Sequence, residues 1–220
     1  MIPPEGNADF VAAMEKVLDV YRRPYDASRP VVCMDETPRQ LIRETKMPMP
    51  ALPGRPERHD YEYERCGVCN VFMACEPLAG KRMTKVTERK TRSDWARFLQ
   101  DIAGRYGGAE KITLVMDNLS THTPGALYGA FAPAEAKALW ERFEFVYTPK
   151  HGSWLNMAET ELNVMIRQCL SRRVSTVQEL AGSVLAWQSH RDQLRAKVNW
   201  QFTTEDARIK LKRLYPTLLE

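Results

Sequence analysis

The sequence predicts an α/β protein, a central mixed five-stranded sheet flanked by helices. Three observations carry this. Val31 to Met34 and Ile112 to Met116 are short, largely β-branched apolar runs without alternation, as in strands buried on both faces. The stretch from Asp60 to Thr87 reads as an antiparallel meander, and apolar residues recur at helical spacing between these strand segments. The order is strand, meander, helix, strand, helices, strand, helix, which is met by helices packed on a central sheet. With 220 residues, 44% hydrophobic and 27% charged, the chain can bury one sizeable core, and disorder, collagen and coiled coil are excluded.

Asn7 has the character of an N-cap, and Phe10, Val11, Met14, Val17, Leu18 and Tyr21 follow at i, i+3, i+4, i+7 spacing, an exterior amphipathic helix that Pro24 ends. The first strand, Val31 to Met34, finishes near Asp35-Glu36, and the Pro- and Arg-rich run from Pro38 to Pro56 reads as a loop. The meander is expected as Tyr61 to Arg65, Val68 to Cys75 and Lys81 to Thr87, with turns at Cys66-Gly67 and Ala79-Gly80. Ser93 is expected to cap a helix with the stripe Trp95, Phe98, Leu99, Ile102 and Tyr106, stopped by Gly107-Gly108. After the strand Ile112 to Met116 come helical pieces near Ala126 to Phe131 and Ala134 to Arg142, then the strand Phe143 to Tyr147 and a turn at His151-Gly152.

A long helix is expected from about Leu155 to Leu170, with Leu155, Ala158, Leu162, Met165, Ile166 and Cys169 inward. Glu159 falls inside that stripe and Glu161 well outside it. Further helices are expected near Val177 to His190 and Thr204 to Leu214, the latter opened by Thr203-x-x-Asp206 in capping-box spacing.

The net charge of +4 says little, but its distribution is uneven: Lys81 to Arg92 carries a local +5, the segment from Lys150 onward another +4, and the remainder is acidic. No apolar run approaches the ~18 residues of a membrane span, and no charged-then-apolar leader opens the chain. A cytoplasmic protein with five free thiols is expected. Cys66-x-x-Cys69, with Cys75 and His59 nearby, invites a zinc reading, but a fourth ligand at suitable spacing is missing and a Cys-Gly turn explains the first pair.

Asp35, Asp117 and Glu159 share one property: each sits where its surroundings predict burial. Each has a bland reading in isolation. Asp35 stands beside Thr37-Pro38 as in a turn, Asp117-Asn118 suits an Asx turn, and Asn156-x-x-Glu159 has capping-box spacing. If the two strands are adjacent and the helix crosses their ends, three negative charges converge, and at low dielectric their repulsion calls for cations. All-carboxylate ligation suits Mg²⁺ or Mn²⁺ rather than zinc. Two such ions, roughly 3.5 to 4 Å apart, suit an in-line phosphodiester displacement by water or a 3′-hydroxyl.

The strings Val32-Cys33-Met34-Asp35-Glu36, Val115-Met116-Asp117-Asn118-Leu119-Ser120-Thr121-His122 and Tyr147-Thr148-Pro149-Lys150-His151-Gly152-Ser153-Trp154-Leu155-Asn156-Met157-Ala158-Glu159 resemble the three catalytic blocks of DDE-type insertion-sequence transposases related to mariner elements. The last block is the most specific. The likeness extends to Asp60-Tyr61-Glu62-Tyr63 and to Phe202-Thr203-Thr204-Glu205-Asp206-Ala207-Arg208. It implies a ribonuclease-H-like fold and a metal triad of Asp35, Asp117 and Glu159 in an enzyme that nicks transposon ends and joins the 3′-hydroxyl to target DNA, typically at TA. Asn118 and His122 would position the metal site or the DNA backbone, Lys150 and His151 would contact the scissile phosphate, and Asn156 would play a structural part. Trp154 reads equally as a core anchor.

Lys81, Arg82, Lys85, Arg89, Lys90 and Arg92 are the candidates for a DNA-tracking edge, against the reading of a solvated face. Arg208, Lys210, Lys212 and Arg213 lie on the polar side of the last helix. The expected organisation is an N-terminal helix and linker over residues 1–29, the catalytic domain over 30–195 and a basic C-terminal helix over 196–220. The resemblance also implies a homodimer, and a helix-turn-helix portion that the family usually carries ahead of the catalytic domain; here it would be encoded separately, or the chain would be an incomplete copy. A ribonuclease-H-like nuclease without strand transfer, or an inactive fragment that binds DNA or partner subunits as a regulator, remains as an alternative.

Overall fold

The computed structural model describes residues 7–58 and 60–216. Five strands form one sheet: β1 (Val31–Glu44), β2 (Tyr63–Glu76), β3 (Lys81–Thr87), β4 (Ile112–Met116) and β5 (Phe143–Tyr147), in the order β3-β2-β1-β4-β5. The first three are antiparallel neighbours, whereas β4 runs parallel to β1 and β5 parallel to β4. The expected mixed five-stranded sheet is therefore present.

Helices cover both faces. On one lie α2 (Arg92–Arg105), α3 (Pro124–Ala130) and α4 (Pro133–Glu141), whose Trp95, Phe98, Leu127 and Ala136 pack with Val32, Met34, Phe72, Leu114 and Met116 of the sheet. On the other lie α1 (Ala8–Tyr21), α5 (Met157–Cys169), α6 (Val177–Gln193) and α7 (Thr204–Lys210). Met14, Val17 and Leu18 of α1 join Cys33, Val115 and Val146 there, and α6 closes over Val71 and Met73 through Leu180, Val184 and Trp187. None of the described helices is long and apolar enough to cross a membrane.

Several local expectations are corrected. The strand that opens at Val31 does not stop near Asp35 but continues to Glu44, through the stretch read as loop. Pro38 is tolerated because β1 leaves β4 after Cys33 and keeps only β2 beside it, so one edge of the strand asks for no amide donor. Cys66-Gly67 is not a turn: Gly67, at φ +104°, lies inside the single strand β2, and the β1–β2 register slips opposite it between Gln40 and Ile42. A bulge thus replaces the turn and merges two predicted strands into one. Helix α2 begins two residues early, capped by Thr91 in a reciprocal box with Asp94 rather than by Ser93. The caps at Asn7 and Thr203 form as expected. Helix α7 docks on α1 through Arg208 to Glu15 at 2.9 Å and Arg22 to Glu205 at 2.8 Å, so Arg208 faces α1.

Candidate active site

The site grows from the point where two parallel strands part. β1 pairs with β4 only over Val31, Cys33 and the residue between them, and Asp35 lies two residues past the last pair. Asp117 follows Met116, the end of β4. Such a crevice beyond the carboxyl ends of parallel strands is a general location for ligand sites in open α/β sheets. Helix α5 lies against β1 and β2 with Glu159 in its first turn. Asp35, Asp117 and Glu159 therefore line one cavity of about 270 Å³, together with Glu36, Ser153 and Asn156.

Asn156 sets the relative position of strand and helix. Its side-chain oxygen accepts from Ala158 N at 3.1 Å, capping α5, while its Nδ2 donates to the carbonyl of Met34 at 2.8 Å. Cap and bridge meet in a residue that is almost wholly buried, one position from Asp35 on the strand side and three from Glu159 on the helix side. Glu159 does not reciprocate as a capping box; the Asn156 amide donates to Ser153 instead. The carboxylate is thereby left to the cavity. Replacing Asn156 by Ala should lower stability by about 1–2 kcal/mol, the usual cost of a lost cap and an unpaired buried carbonyl, as read from urea unfolding.

The electrostatics are those of crowded acids. One oxygen each of Asp35, Glu36 and Asp117 can lie within 4.8 Å of the others, the only such acidic, His or Cys group of three among the described residues. Glu159 lines the same cavity without joining that cluster, and its buried Oε2 has no hydrogen-bond partner. Burial pushes the Asp35 carboxyl up to about 7, against the amide of Glu36, which donates to it at 2.8 Å; the charges of Glu36, Asp117 and Glu159 push the same way as burial.

Beneath Asp117 lies His122, buried, its ring stacked on Trp95 at 5.3 Å between centroids. Nδ1 is 2.7 Å from Asp117 Oδ1, and Nε2 is 3.5 Å from Glu36 Oε2, a charge contact longer than a hydrogen bond. Burial pulls the imidazolium down, but Asp117 and Glu36 outweigh it and bring His122 up to about 9. Burial raises the Glu36 carboxyl, yet His122 and Lys90 hold it below its ordinary value.

Asn118, Lys150 and His151 do not line the triad cavity. They line an adjoining cleft of about 400 Å³ that shares Asp117 with it, on the loop after β5. His151 there has φ +65°, and a Cβ on Gly152 would come within 2.5 Å of Pro149, so the sharp loop depends on that glycine.

The basic run divides. Lys81, Arg89 and Arg92 are exposed, Lys85 pairs with Asp101 at 2.6 Å, and Lys90 pairs with Glu36 at 2.9 Å. Arg82 is corrected outright: it is 2% exposed and cannot reach a DNA backbone from the core. Its Nε donates to Glu161 at 2.8 Å, and Arg191 of α6 donates to the same carboxylate at 2.8 Å. Glu161, expected outside the apolar stripe, is 1% exposed, because α5 is covered by α6 and β3 as well as by β1 and β2.

The five cysteines are free, Cys66 and Cys69 share the continuous strand β2, and His59 lies outside the described residues. Glu36, Trp95 and Glu161 were not singled out as site or network residues by sequence. Only Glu36 carried a signal, its adjacency to Asp35.

Comparison with known proteins places this geometry. The family model of the DDE superfamily endonucleases matches residues 30–181. Among solved structures, the chain is similar to the Mos1 transposase paired-end complex with left transposon end, at 14% identity and a TM-score of 0.60 over 89% of this chain and 60% of that one. It is also similar to the catalytic domain of Mos1 mariner transposase, at 12% identity and a TM-score of 0.57 over 89% of each chain. A third is the mariner Mos1 paired end complex with Mg, at 12% identity and a TM-score of 0.56 over 99% of this chain and 66% of that one. At these identities the likeness is one of fold, the ribonuclease-H-like fold expected from the sequence. No curated protein matches the chain.

Proposed function

The chain belongs to the DDE superfamily endonucleases, and from that premise we propose that it is the catalytic part of a transposase, cutting DNA at the ends of an insertion sequence and joining them to target DNA. The observation that carries the reading is the convergence of Asp35, Asp117 and Glu159, far apart in the chain, on one cavity where β1 and β4 part.

The donor set fits a hard divalent cation. Every candidate ligand is a carboxylate oxygen, the Asp35 carboxyl is destabilised as an anion, and Glu159 Oε2 is buried with no hydrogen-bond partner. Asp35, Asp117 and Glu159 would hold two Mg²⁺ or Mn²⁺ ions, and that a similar Mos1 complex contains Mg supports the choice. The chemistry such ions supply is activation of a water or a 3′-hydroxyl and stabilisation of the leaving oxygen.

The chain's own residues do the positioning. His122 holds the Asp117 carboxylate, Asn156 fixes Glu159 relative to Asp35, and Asn118, Lys150 and His151 offer donors to a DNA phosphate in the adjoining cleft. Lys81, Arg89 and Arg92 add exposed positive charge for backbone contact. The chain spans 60% of the length of the first Mos1 chain it resembles, and we assign it the cutting and joining chemistry as a homodimer, in keeping with the paired-end arrangement of that protein.

The test combines the chain, Mg²⁺ or Mn²⁺, and DNA carrying the terminal repeats around its own reading frame, with and without the product of the frame immediately upstream. Metal-dependent nicking at the repeat ends is expected. Precleaved ends with a TA-containing plasmid then separate joining from hydrolysis alone. Cleavage indifferent to chelation of the metal, or unaffected by Asp117→Asn, would overturn the assignment.

A further inference from the structure

Resting on that reading of the metal site, we propose that Glu36 is a positioning residue, which acts through His122 to fix the carboxylate of Asp117, with Lys90 as the outermost link. The four side chains form a line from solvent to cavity. Lys90 Nζ is 2.9 Å from Glu36 Oε1, Glu36 Oε2 is 3.5 Å from His122 Nε2, and His122 Nδ1 is 2.7 Å from Asp117 Oδ1. The Glu36 and His122 side chains are each 1% exposed, so the contact between them is shielded from bulk water.

Glu36 stands next to Asp35 and has an oxygen near the acidic cluster, which raises the question of whether it is itself a ligand. The line argues against that. Its Oε1 is taken by Lys90, and its Oε2, which has no hydrogen-bond partner, faces the imidazole of His122 at 3.5 Å. Along β1 successive side chains alternate in direction, and Met34, two residues before Glu36, belongs to the core on the α2 side, where Trp95 stacks on His122. Asp35 takes the opposite alternation, beside the cavity that α5 covers. Glu36 lines that cavity as well, but its two oxygens lie against Lys90 and His122.

The physical reason for such a line is rotational. Asp117 follows the last residue of β4 and is no longer held by strand pairing, so its side chain is free to turn unless something fixes it. An imidazole sandwiched between two carboxylates, with its ring plane set by Trp95, holds the Asp117 carboxylate in one orientation. Carboxylates and imidazoles behind a ligand, when removed, typically cost metal affinity about 10–100-fold.

The experiment titrates Mn²⁺ into the full chain by calorimetry, for the unaltered protein and for Glu36→Gln, Lys90→Met and Asp117→Asn, with the melting temperature of each taken without metal. Glu36→Gln keeps the shape and an acceptor but removes the charge facing His122. The expected result is Mn²⁺ affinity weaker by about 10–100-fold in Glu36→Gln, and severalfold in Lys90→Met, whose fold is safe because the lysine is at the surface. A merely structural role for Glu36 would lower the melting temperature and leave the affinity of the folded fraction unchanged. Binding lost in Asp117→Asn but equal to the unaltered chain in both Glu36→Gln and Lys90→Met overturns this inference alone. Binding that survives Asp117→Asn overturns the metal-site reading and this inference with it.

Discussion

Asp35→Asn is expected to abolish metal-dependent DNA cleavage while making the metal-free protein more stable. The loss should be on the order of 10³-fold or more in kcat, the scale on which one member of a catalytic unit is missed. The gain follows from the crowding of the site. Asp35 is raised to about 7 in the fold by burial and by Glu36, Asp117 and Glu159, from an ordinary value of 3.8. Between those two values the folded protein holds a proton that the unfolded chain has released. Stability present at pH 4 is therefore eroded as pH rises, and the erosion is complete above pH 7. Asparagine cannot ionise and escapes it.

The melting temperature of Asp35→Asn should thus exceed that of the unaltered chain at pH 8 and converge with it near pH 4, by about 2–4 °C for each 1 kcal/mol relieved. Adding Mn²⁺ at pH 8 should reverse the ranking, since an ion bound only by the native unaltered site stabilises it by mass action. Calorimetry at the two pH values, with chelator and then with Mn²⁺, reads all of this. A variant that is less stable at pH 8 without metal would show that the carboxylate is not under strain.

What the sequence revealed and what it concealed follow from how many elements each residue answers to. Ile112 to Met116 was legible because its neighbours on the sheet and the helices above and below demand apolar side chains, and Phe143 to Tyr147 because all but Glu144, which pairs with Arg23, meet the same demand. The three acids were legible for the same reason, as exceptions to that demand. The extension of β1 past Asp35 was hidden, because Thr37-Pro38-Arg39 has the composition of a turn and only the missing neighbour on one edge makes a strand of it. Gly67 was hidden by the same ambiguity, a left-handed glycine serving equally in a turn or a bulge. Lys90 and Arg82 both have the local pattern of exposed charge, on a DNA-tracking edge or a solvated face. Their partners, Glu36 and Glu161, are 54 and 79 positions away in sequence, and no local pattern connects them.

Glu161 gives the second large effect. A helical wheel compares a residue with its own helix, and on that comparison Glu161 belongs outside. In the fold α5 has no free side in that direction, because Arg82 of β3 and Arg191 of α6 both donate to the Glu161 carboxylate. Burial raises that carboxyl, and the two guanidinium groups more than offset it, so it is held below the usual carboxylate range. Arg82 in turn donates to the carbonyls of Gly80 and Ala196, which ties the β2–β3 turn and the segment after α6 to the same point. Glu161→Ala leaves two guanidinium groups around a hole, one of them with its side chain 1% exposed and only Asp192, at 3.8 Å, as a remaining anion. A loss of about 3–5 kcal/mol is expected, the cost of orphaning a buried charge rather than the net worth of the pair. The double variant Arg82→Met with Glu161→Leu should recover part of that loss, since apolar replacement of a buried pair is often neutral and the guanidinium left behind, Arg191, has a side chain 17% exposed. Because α5 also carries Glu159, the single variant should lose cleavage along with stability, and the double variant should regain both together. A single variant that unfolds at the same urea concentration as the unaltered chain would mean that water reaches Arg82 and that the network is not the clasp between α5, α6 and β3.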